Sequence, residues 1–148
     1  MSIGVRKMKR VLLYDATYNT EYDVEELYQK LSEMVEGNRL LVSMQETVPE
    51  LDLTRVAGIV EEVELVKSPY PTNELGFNAD SIWANISFIG TAMGSIHKEL
   101  ADHVDLKYSV VATGLKQTGF GRFSNRSNHT FDLKVHYIAV TLQDATVG

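Results

Sequence analysis

The segment from residue 81 to residue 142 restricts the possible folds most strongly, because its hydrophobic period changes along its length. Across residues 81–89 apolar and polar side chains alternate, which is the two-residue period of a half-buried strand. An amphipathic stretch follows, and residues 106–112 and 131–142 alternate again. This order predicts a strand, a packed helix and a closing hairpin, and therefore an α+β fold.

A first helix is predicted over residues 24–36. Asp23, followed three residues later by Glu26, matches a capping box, and Gly37 stands where a left-handed residue commonly ends a helix. The apolar side chains of this helix fall on one stripe, which consists of Val24, Leu27, Leu31, Met34 and Val35. We therefore expect the helix to pack on the sheet through that stripe.

A second helix is predicted after Thr91, whose hydroxyl is suited to cap its first turn. Its apolar face is predicted to consist of Met93, Ile96, Leu100 and Val104. This face should lie across the sheet, with Lys98 and Glu99 directed outward.

Three more segments are candidates for extended structure. Residues 11–14 are predicted to form a short strand or an extended arm, and residues 39–44 a short extended segment. Residues 56–66 fit a helix or a strand, and their β-branched content favours a strand that pairs with residues 82–89. Together the patterns predict a small, mostly antiparallel sheet with two main helices packed on it and long hairpin loops.

Length and composition indicate one globular domain over residues 1–148, of which 44% are hydrophobic. No apolar run approaches the roughly 20 residues of a membrane span. Residues 1–10 are basic and lack the apolar core of a signal peptide, so we expect a flexible arm and no membrane partner. The chain has no cysteine, which excludes disulfides and thiolate ligands. A net charge of −6 argues against a general nucleic-acid coat.

Two loops are candidate contact surfaces. The connection before residue 81 contains Tyr70, Leu75 and Phe77, which are too apolar for a loop that contacts only water. Contact with another chain and packing against the chain's own domain both remain open. Residues 113–130 form a connection long enough to suggest a function, with a mobile solvated loop as the alternative. This loop carries a set of side chains typical of interface anchors, namely Phe120, Arg122, Phe123 and Arg126.

The last predicted strand changes the face on which its apolar side chains lie. In its first half Val135 and Tyr137 alternate with polar residues, but Ile138, Val140 and Leu142 then fall on the opposite face. A strand that is apolar on both faces must be covered on both sides. We expect a second subunit to supply the second cover.

The titratable residues do not form a catalytic pattern. His97 and His103 are six positions apart and lie on nearly opposite helix faces, whereas ligands on one face are three or four apart. Neighbouring members of the group Glu61, Glu62 and Glu64 alternate across a strand, and no companion base or oxyanion donor accompanies them. We expect no catalytic residue, metal site or cofactor.

The order of elements over about residues 56–142 resembles that of the tail terminator proteins of long-tailed bacteriophages, which are related to small head–tail completion proteins. The segments that carry the resemblance are SIWANISFIGTAMGSIHKELADHV, YSVVATG and FDLKVHYIAV. The basic N-terminus and the basic residues Lys116, Arg122 and Arg126 depart from the family pattern, because acidic lumens let DNA slide through.

The resemblance implies a virion structural protein that is assembled in the host cytoplasm and has no enzymatic activity. Its copies would form a ring, usually a hexamer, that caps the tail tube and offers a docking face to the head–tail connector. DNA would pass through the lumen only as cargo. Heterologous contacts that close by rotation produce such rings.

Two other classes of function stay open. The strand–helix–strand units also fit a small ferredoxin-like ligand-binding module or enzyme, with a site between the sheet and a helix. The basic loop with Phe120 and Phe123 also fits a nucleic-acid contact, in which rings stack on bases and arginines hold phosphates.

Overall fold

A computed structural model describes residues 8–17, 21–68, 80–114 and 133–142. These residues form six strands and two α-helices: β1 Met8–Asp15, α1 Val24–Glu36, β2 Leu41–Ser43, β3 Val56–Val66, β4 Ser81–Phe88, α2 Ala92–His103, β5 Leu106–Thr113 and β6 Lys134–Leu142. The order and type of the elements confirm the small α+β fold predicted from the sequence, including a strand over residues 56–66. No helix in the described ranges is both long enough and apolar enough to span a membrane.

The six strands form one sheet in the order β1-β4-β3-β2-β6-β5. Four of the neighbouring pairs are antiparallel, but β2 and β6 are parallel. The sheet is therefore mixed, and the prediction of a mostly antiparallel sheet was wrong. The parallel contact joins strands that are far apart in sequence, so no local pattern indicates it.

The sheet curls into a half-barrel, which was also not predicted. Its edge strands β1 and β5 approach each other until some of their Cα atoms lie within 8 Å. Because four of the five neighbouring pairs are antiparallel and one is parallel, β1 and β5 run in the same direction. A seam between two parallel edges therefore runs along one side of the molecule.

The hydrophobic core lies against the concave face of this sheet. Leu27 and Leu31 of α1 are fully buried in the same cluster as Val60, Ile82 and Ile86 of the central strands. Full burial of a side chain of this kind contributes roughly 1.5–3 kcal/mol. The predicted stripe of α1 is therefore confirmed as the face that packs on the sheet.

The two ends of α1 show one confirmed prediction and one correction. The Asp23 side chain accepts a hydrogen bond of 3.0 Å from the backbone N–H of Glu25, as expected of an N-cap. Gly37, however, has a φ of −89° and is not left-handed. The left-handed residue is Asn38, with a φ of 54°, because asparagine also tolerates this conformation.

Helix α2 packs through a face that overlaps the predicted one only in part, since Met93 and Leu100 are half-buried. Thr91 caps it as expected by accepting a hydrogen bond from the N–H of Gly94. Its buried residues are Gly94 and His97, whereas Ile96 and Val104 are 48% and 41% exposed. A Cβ at position 94 would overlap the backbone of Ile89, so the glycine brings this face close to the chain before the helix.

A β-bulge explains the change of face in β6. Val111 of β5 pairs with Tyr137, but the next residue of β5, Ala112, pairs with Val135, so His136 is an extra residue in β6. Leu133, Val135, Ile138 and Val140 consequently all join the main core. The inserted residue, which the sequence pattern does not reveal, moves the alternation to the other face.

Both faces of β6 are covered by the chain itself. Ile138 and Val140 are 0% and 3% exposed in the single chain. Tyr137 and Ala139, on the opposite face, pack with Val111 and Leu51 in a second small cluster. The prediction that a second subunit covers this strand was therefore wrong for Ile138 and Val140.

Three residues of the N-terminal arm expected over residues 1–10 are part of a strand instead. Met8, Lys9 and Arg10 belong to β1 and pair with β4, where Met8 lies opposite Ser87. Residues 1–7 lie outside the described residues.

Candidate functional site

A cleft of about 940 Å³ follows the seam between the two edges of the half-barrel. Its walls are residues 9–15 of β1 and residues 106–112 of β5. Trp83 of β4 lies at the rim beside β1, and Thr47 and Pro49 contribute from the connection between β2 and β3. The cleft is thus built mainly from two strands that each belong to an edge of the sheet.

Each of these strands has one free backbone edge within the described part of the chain. β1 pairs only with β4, and β5 pairs only with β6. An edge strand presents a row of unpaired N–H and C=O groups that can pair with another chain. Here two such edges lie along the same cleft within the described residues.

Two tyrosines close one end of the seam. The Tyr14 hydroxyl accepts a hydrogen bond from the N–H of Tyr22 and donates one to its carbonyl, each at 2.9 Å. The Tyr22 hydroxyl donates to the carbonyl of Ala112, at the end of β5, at 3.5 Å. Burial raises the pKa of Tyr14 to about 12, so its hydroxyl keeps its proton at neutral pH. Access to the cleft is therefore easier from the starts of β1 and β5.

The charges in the cleft differ between its ends. Lys9 and Lys107 lie near the starts of the two strands, together with Asp105. Asp15 and Glu21 lie at the far end, where no lysine or arginine lines the described cleft. One end is therefore slightly positive and the other is negative.

The rim beside β1 carries an aromatic side chain held in place by its neighbours. The Arg10 guanidinium lies 4.9 Å from the centre of the Trp83 ring and forms an ion pair of 2.8 Å with Glu64. The Trp83 Nε1–H donates to the Ser81 hydroxyl at 3.0 Å. Arg10 is therefore largely neutralised, and the indole offers a fixed apolar surface to the cleft.

A buried polar link lies behind the β5 wall. His97 Nε2 is 2.7 Å from the Tyr108 hydroxyl, and Nδ1 is 3.3 Å from the carbonyl of Ala57. The carbonyl can only accept, so Nδ1 carries the proton and Nε2 accepts from Tyr108. Burial lowers the pKa of His97 and raises that of Tyr108. A neutral imidazole thus connects α2 to β3 and β5.

The sequence did not predict that His97 is buried and links two strands. It placed His97 away from His103, which is correct because His103 is exposed, but it took Ile96 as part of the packing face. The neighbouring Gly94 is the signal that could have indicated the buried face, since a glycine inside a helix often marks a close contact.

The predicted contact residues are not brought together by the described structure. Seven of them lie outside the described residues, namely Tyr70, Leu75, Phe77, Phe120, Arg122, Phe123 and Arg126. Ile138 and Val140 are in the core, while Leu142 is 67% exposed at the end of β6, opposite Leu106. Of the three predicted contact residues on β6, Leu142 is thus the accessible one.

Each of the three glutamates of β3 contacts a different side chain. Glu61 accepts a hydrogen bond from Ser87, Glu62 accepts one from Asn85, and Glu64 binds Arg10. These carboxylates therefore do not converge on one point. Within the described ranges, no group of three or more histidine, aspartate or glutamate side chains is placed to hold a metal ion.

Comparisons of this chain with protein-family models, with curated proteins and with solved structures found no match.

Proposed function

We propose that the protein is a non-enzymatic assembly protein that binds other protein subunits through the free edges of its half-barrel. The observation that carries this proposal is that β1 and β5 each pair with only one other strand among the described residues and that both line one cleft. Exposed edges are a template for pairing with another polypeptide, and folded proteins usually block them. A protein that keeps two edges beside a cleft is suited to bind a polypeptide there.

The more specific form of the proposal is a tail terminator-like ring in a virion. Its partners would be other copies of the chain, the tail tube and the head–tail connector, with DNA as cargo. The order of elements along the chain supports this form. Ile138 and Val140 no longer do, because they are buried in one chain, whereas the exposed Leu142 is compatible with a subunit contact.

Light scattering coupled to size exclusion tests the ring. We expect a mass several times that of the 16.6 kDa chain at micromolar concentration. A monomer at every concentration, both alone and with purified tail tubes, would contradict the ring.

Two variants make the same experiment more specific. Leu142→Glu should reduce the assembled fraction, because it places a charge at the proposed contact. Leu53→Glu is the matched control, since Leu53 is 74% exposed and outside every predicted contact. Equal assembly of both variants would remove Leu142 from the contact.

A small ligand-binding module is the second candidate, favoured by the size of the cleft. Its volume of about 940 Å³ lies within the range of small-molecule sites, which is roughly 300–1,000 Å³. Helix α2 joins β4 and β5, which run in opposite directions with three strands between them, whereas a split βαβ unit joins parallel strands with one strand between them. The ferredoxin-like version of this candidate therefore loses support. Native mass spectrometry of freshly purified protein should reveal a bound metabolite if this candidate is correct.

A further inference from the structure

The edge of β5, which pairs only with β6 among the described residues, is suited to a partner with a particular chemistry. A strand edge offers N–H donors and C=O acceptors in alternation along its length, and an extended polypeptide has the same groups at the same spacing. Eight residues form each edge, which corresponds to roughly 26 Å at 3.3 Å per residue. The cleft is therefore long enough for one extended segment.

The direction of such a segment follows from the sheet. β1 and β5 run in the same direction, and antiparallel pairing is slightly more stable than parallel pairing. The C-terminal end of an added segment would thus lie near the starts of both strands, beside Lys9 and Lys107. Its N-terminal end would lie beside Asp15 and Glu21. Charge complementarity then favours acidic side chains toward the C-terminal end of the segment.

We infer that the cleft binds one extended segment of a partner polypeptide, added to the free edge of β5 in antiparallel orientation, with acidic side chains toward its C-terminal end. This inference rests on the proposed assembly function and names the partner that its open edges bind. β1 and Trp83 form the opposite wall of the site. The segment enters from the end with Lys9 and Lys107, because Tyr22 bridges to Ala112 at the other end.

Binding must also widen the seam. A strand between two others needs about 9.5 Å between their axes, which is twice the usual strand spacing. Some Cα atoms of β1 and β5 lie within 8 Å of each other. The two edges therefore separate where the segment enters, and the single tryptophan at the rim should report this movement.

Tryptophan fluorescence with synthetic peptides tests the inference on the full chain. The probe is a peptide of about eight residues, the length of the edge, that alternates valine and threonine and ends in two glutamates. We expect a saturable change in Trp83 emission. A second peptide with two glutamates at its N-terminal end and two lysines at its C-terminal end should bind about tenfold more weakly, because each charge then meets a like charge.

Backbone pairing is tested with a third peptide. It has the sequence of the first, but alternate backbone nitrogens on the side that pairs with β5 are methylated, which removes those donors. The peptide is made in two versions, one with the odd-numbered and one with the even-numbered backbone nitrogens methylated. At least one of these two methylated peptides should show no saturable binding. Binding of both methylated peptides as tight as that of the first would overturn the inference.

A pair of charge variants locates the site. Lys107→Glu should weaken binding of the first peptide about threefold to tenfold, in line with the loss and reversal of one exposed ion pair. Lys98→Glu makes the same change on the exposed face of α2, outside the cleft, and should leave binding unchanged. Equal effects of the two variants would place the peptide elsewhere and overturn the inference.

These results are separable from those for the proposed function. A chain that assembles in light scattering but gives no saturable signal with any peptide overturns the inference alone. A monomeric chain that binds the first peptide and rejects the methylated ones supports the inference and contradicts the ring.

Discussion

At the scale of single residues, His97 is a fully buried polar group that links two strands of the described core. Its two ring nitrogens bind groups on two different strands, Ala57 on β3 and Tyr108 on β5. The bond that Nε2 accepts from Tyr108 depends on a neutral ring with the proton on Nδ1. A charged ring would turn Nε2 into a donor and place a positive charge in a buried site, where burial disfavours it.

The pH dependence of stability should show this requirement. Burial lowers the pKa of His97 below its ordinary value of 6.5, so the unfolded chain binds a proton more readily than the native chain. The contribution of the neutral His97 to the free energy of unfolding is thus fully present above about pH 6.5 and is lost as the pH falls through the lowered pKa. Urea titrations between about pH 7.5 and pH 5 measure this loss.

Two histidine variants control that experiment. His97→Gln keeps donor and acceptor atoms but cannot titrate, so its stability should vary less over this range than that of the unchanged chain. His103→Gln removes an exposed histidine whose pKa is raised by its hydrogen bond with the Glu99 carbonyl, so this variant should not reduce the loss of stability on acidification. The same slope in all three proteins would show that His97 is not the group that titrates.

Gly94 provides a second prediction at this scale. A methyl group there would overlap the carbonyl oxygen of Ile89, so Gly94→Ala should push the first turn of α2 away from the segment before the helix. We expect a loss of about 1–3 kcal/mol in the free energy of unfolding, as for other overpacked sites. Gly90→Ala is the matched control, because a methyl group at position 90 meets no atom within 4 Å. Denaturant unfolding that finds both variants equally stable would contradict the close contact.

At the scale of elements, β6 and the connection between β2 and β3 depend on each other. The Tyr137 hydroxyl lies 3.0 Å from the carbonyl of Glu46 and 2.5 Å from that of Val48, and the two carbonyls share its one proton. This single side chain therefore holds the connection against the outer face of β6, beside one rim of the cleft.

Tyr137→Phe should release that connection. The ring can still pack against Val111 and Ala139, but two carbonyls lose their donor, at a cost of about 1 kcal/mol. Hydrogen exchange should become faster in residues 44–52 and stay unchanged in α1, which serves as the internal reference. Unchanged exchange in residues 44–52 would show that other contacts, such as those of Gln45 with Glu50 and Asp52, hold the connection.

At the scale of the whole molecule, one core cluster includes residues from α1 and from all six strands. We therefore expect a single cooperative transition, in which Trp83 fluorescence and far-ultraviolet circular dichroism change at the same denaturant concentration. Trp83 lies at the rim of the seam, so an earlier fluorescence transition would show that the seam opens before the core unfolds.

The structural features that the sequence did not predict have the same physical origin at each scale. Local periods and caps were sufficient to predict α1, α2 and the pairing of β3 with β4, because each depends on neighbouring residues. The bulge at His136 adds one residue to a pairing, and the parallel contact of β2 with β6 joins distant segments. Neither leaves a local pattern, so the curl of the sheet and its cleft could not be predicted.

β2 has a further consequence for the seam. With only three residues it is the one strand in the described sheet that connects the unit β1-β4-β3 to the unit β6-β5. The outer strands of these two units, β1 and β5, lie farthest from β2 and approach each other at the seam. A small rotation of the two units about this short strand should therefore produce a larger change in the distance between β1 and β5, because these edges lie farthest from the rotation axis.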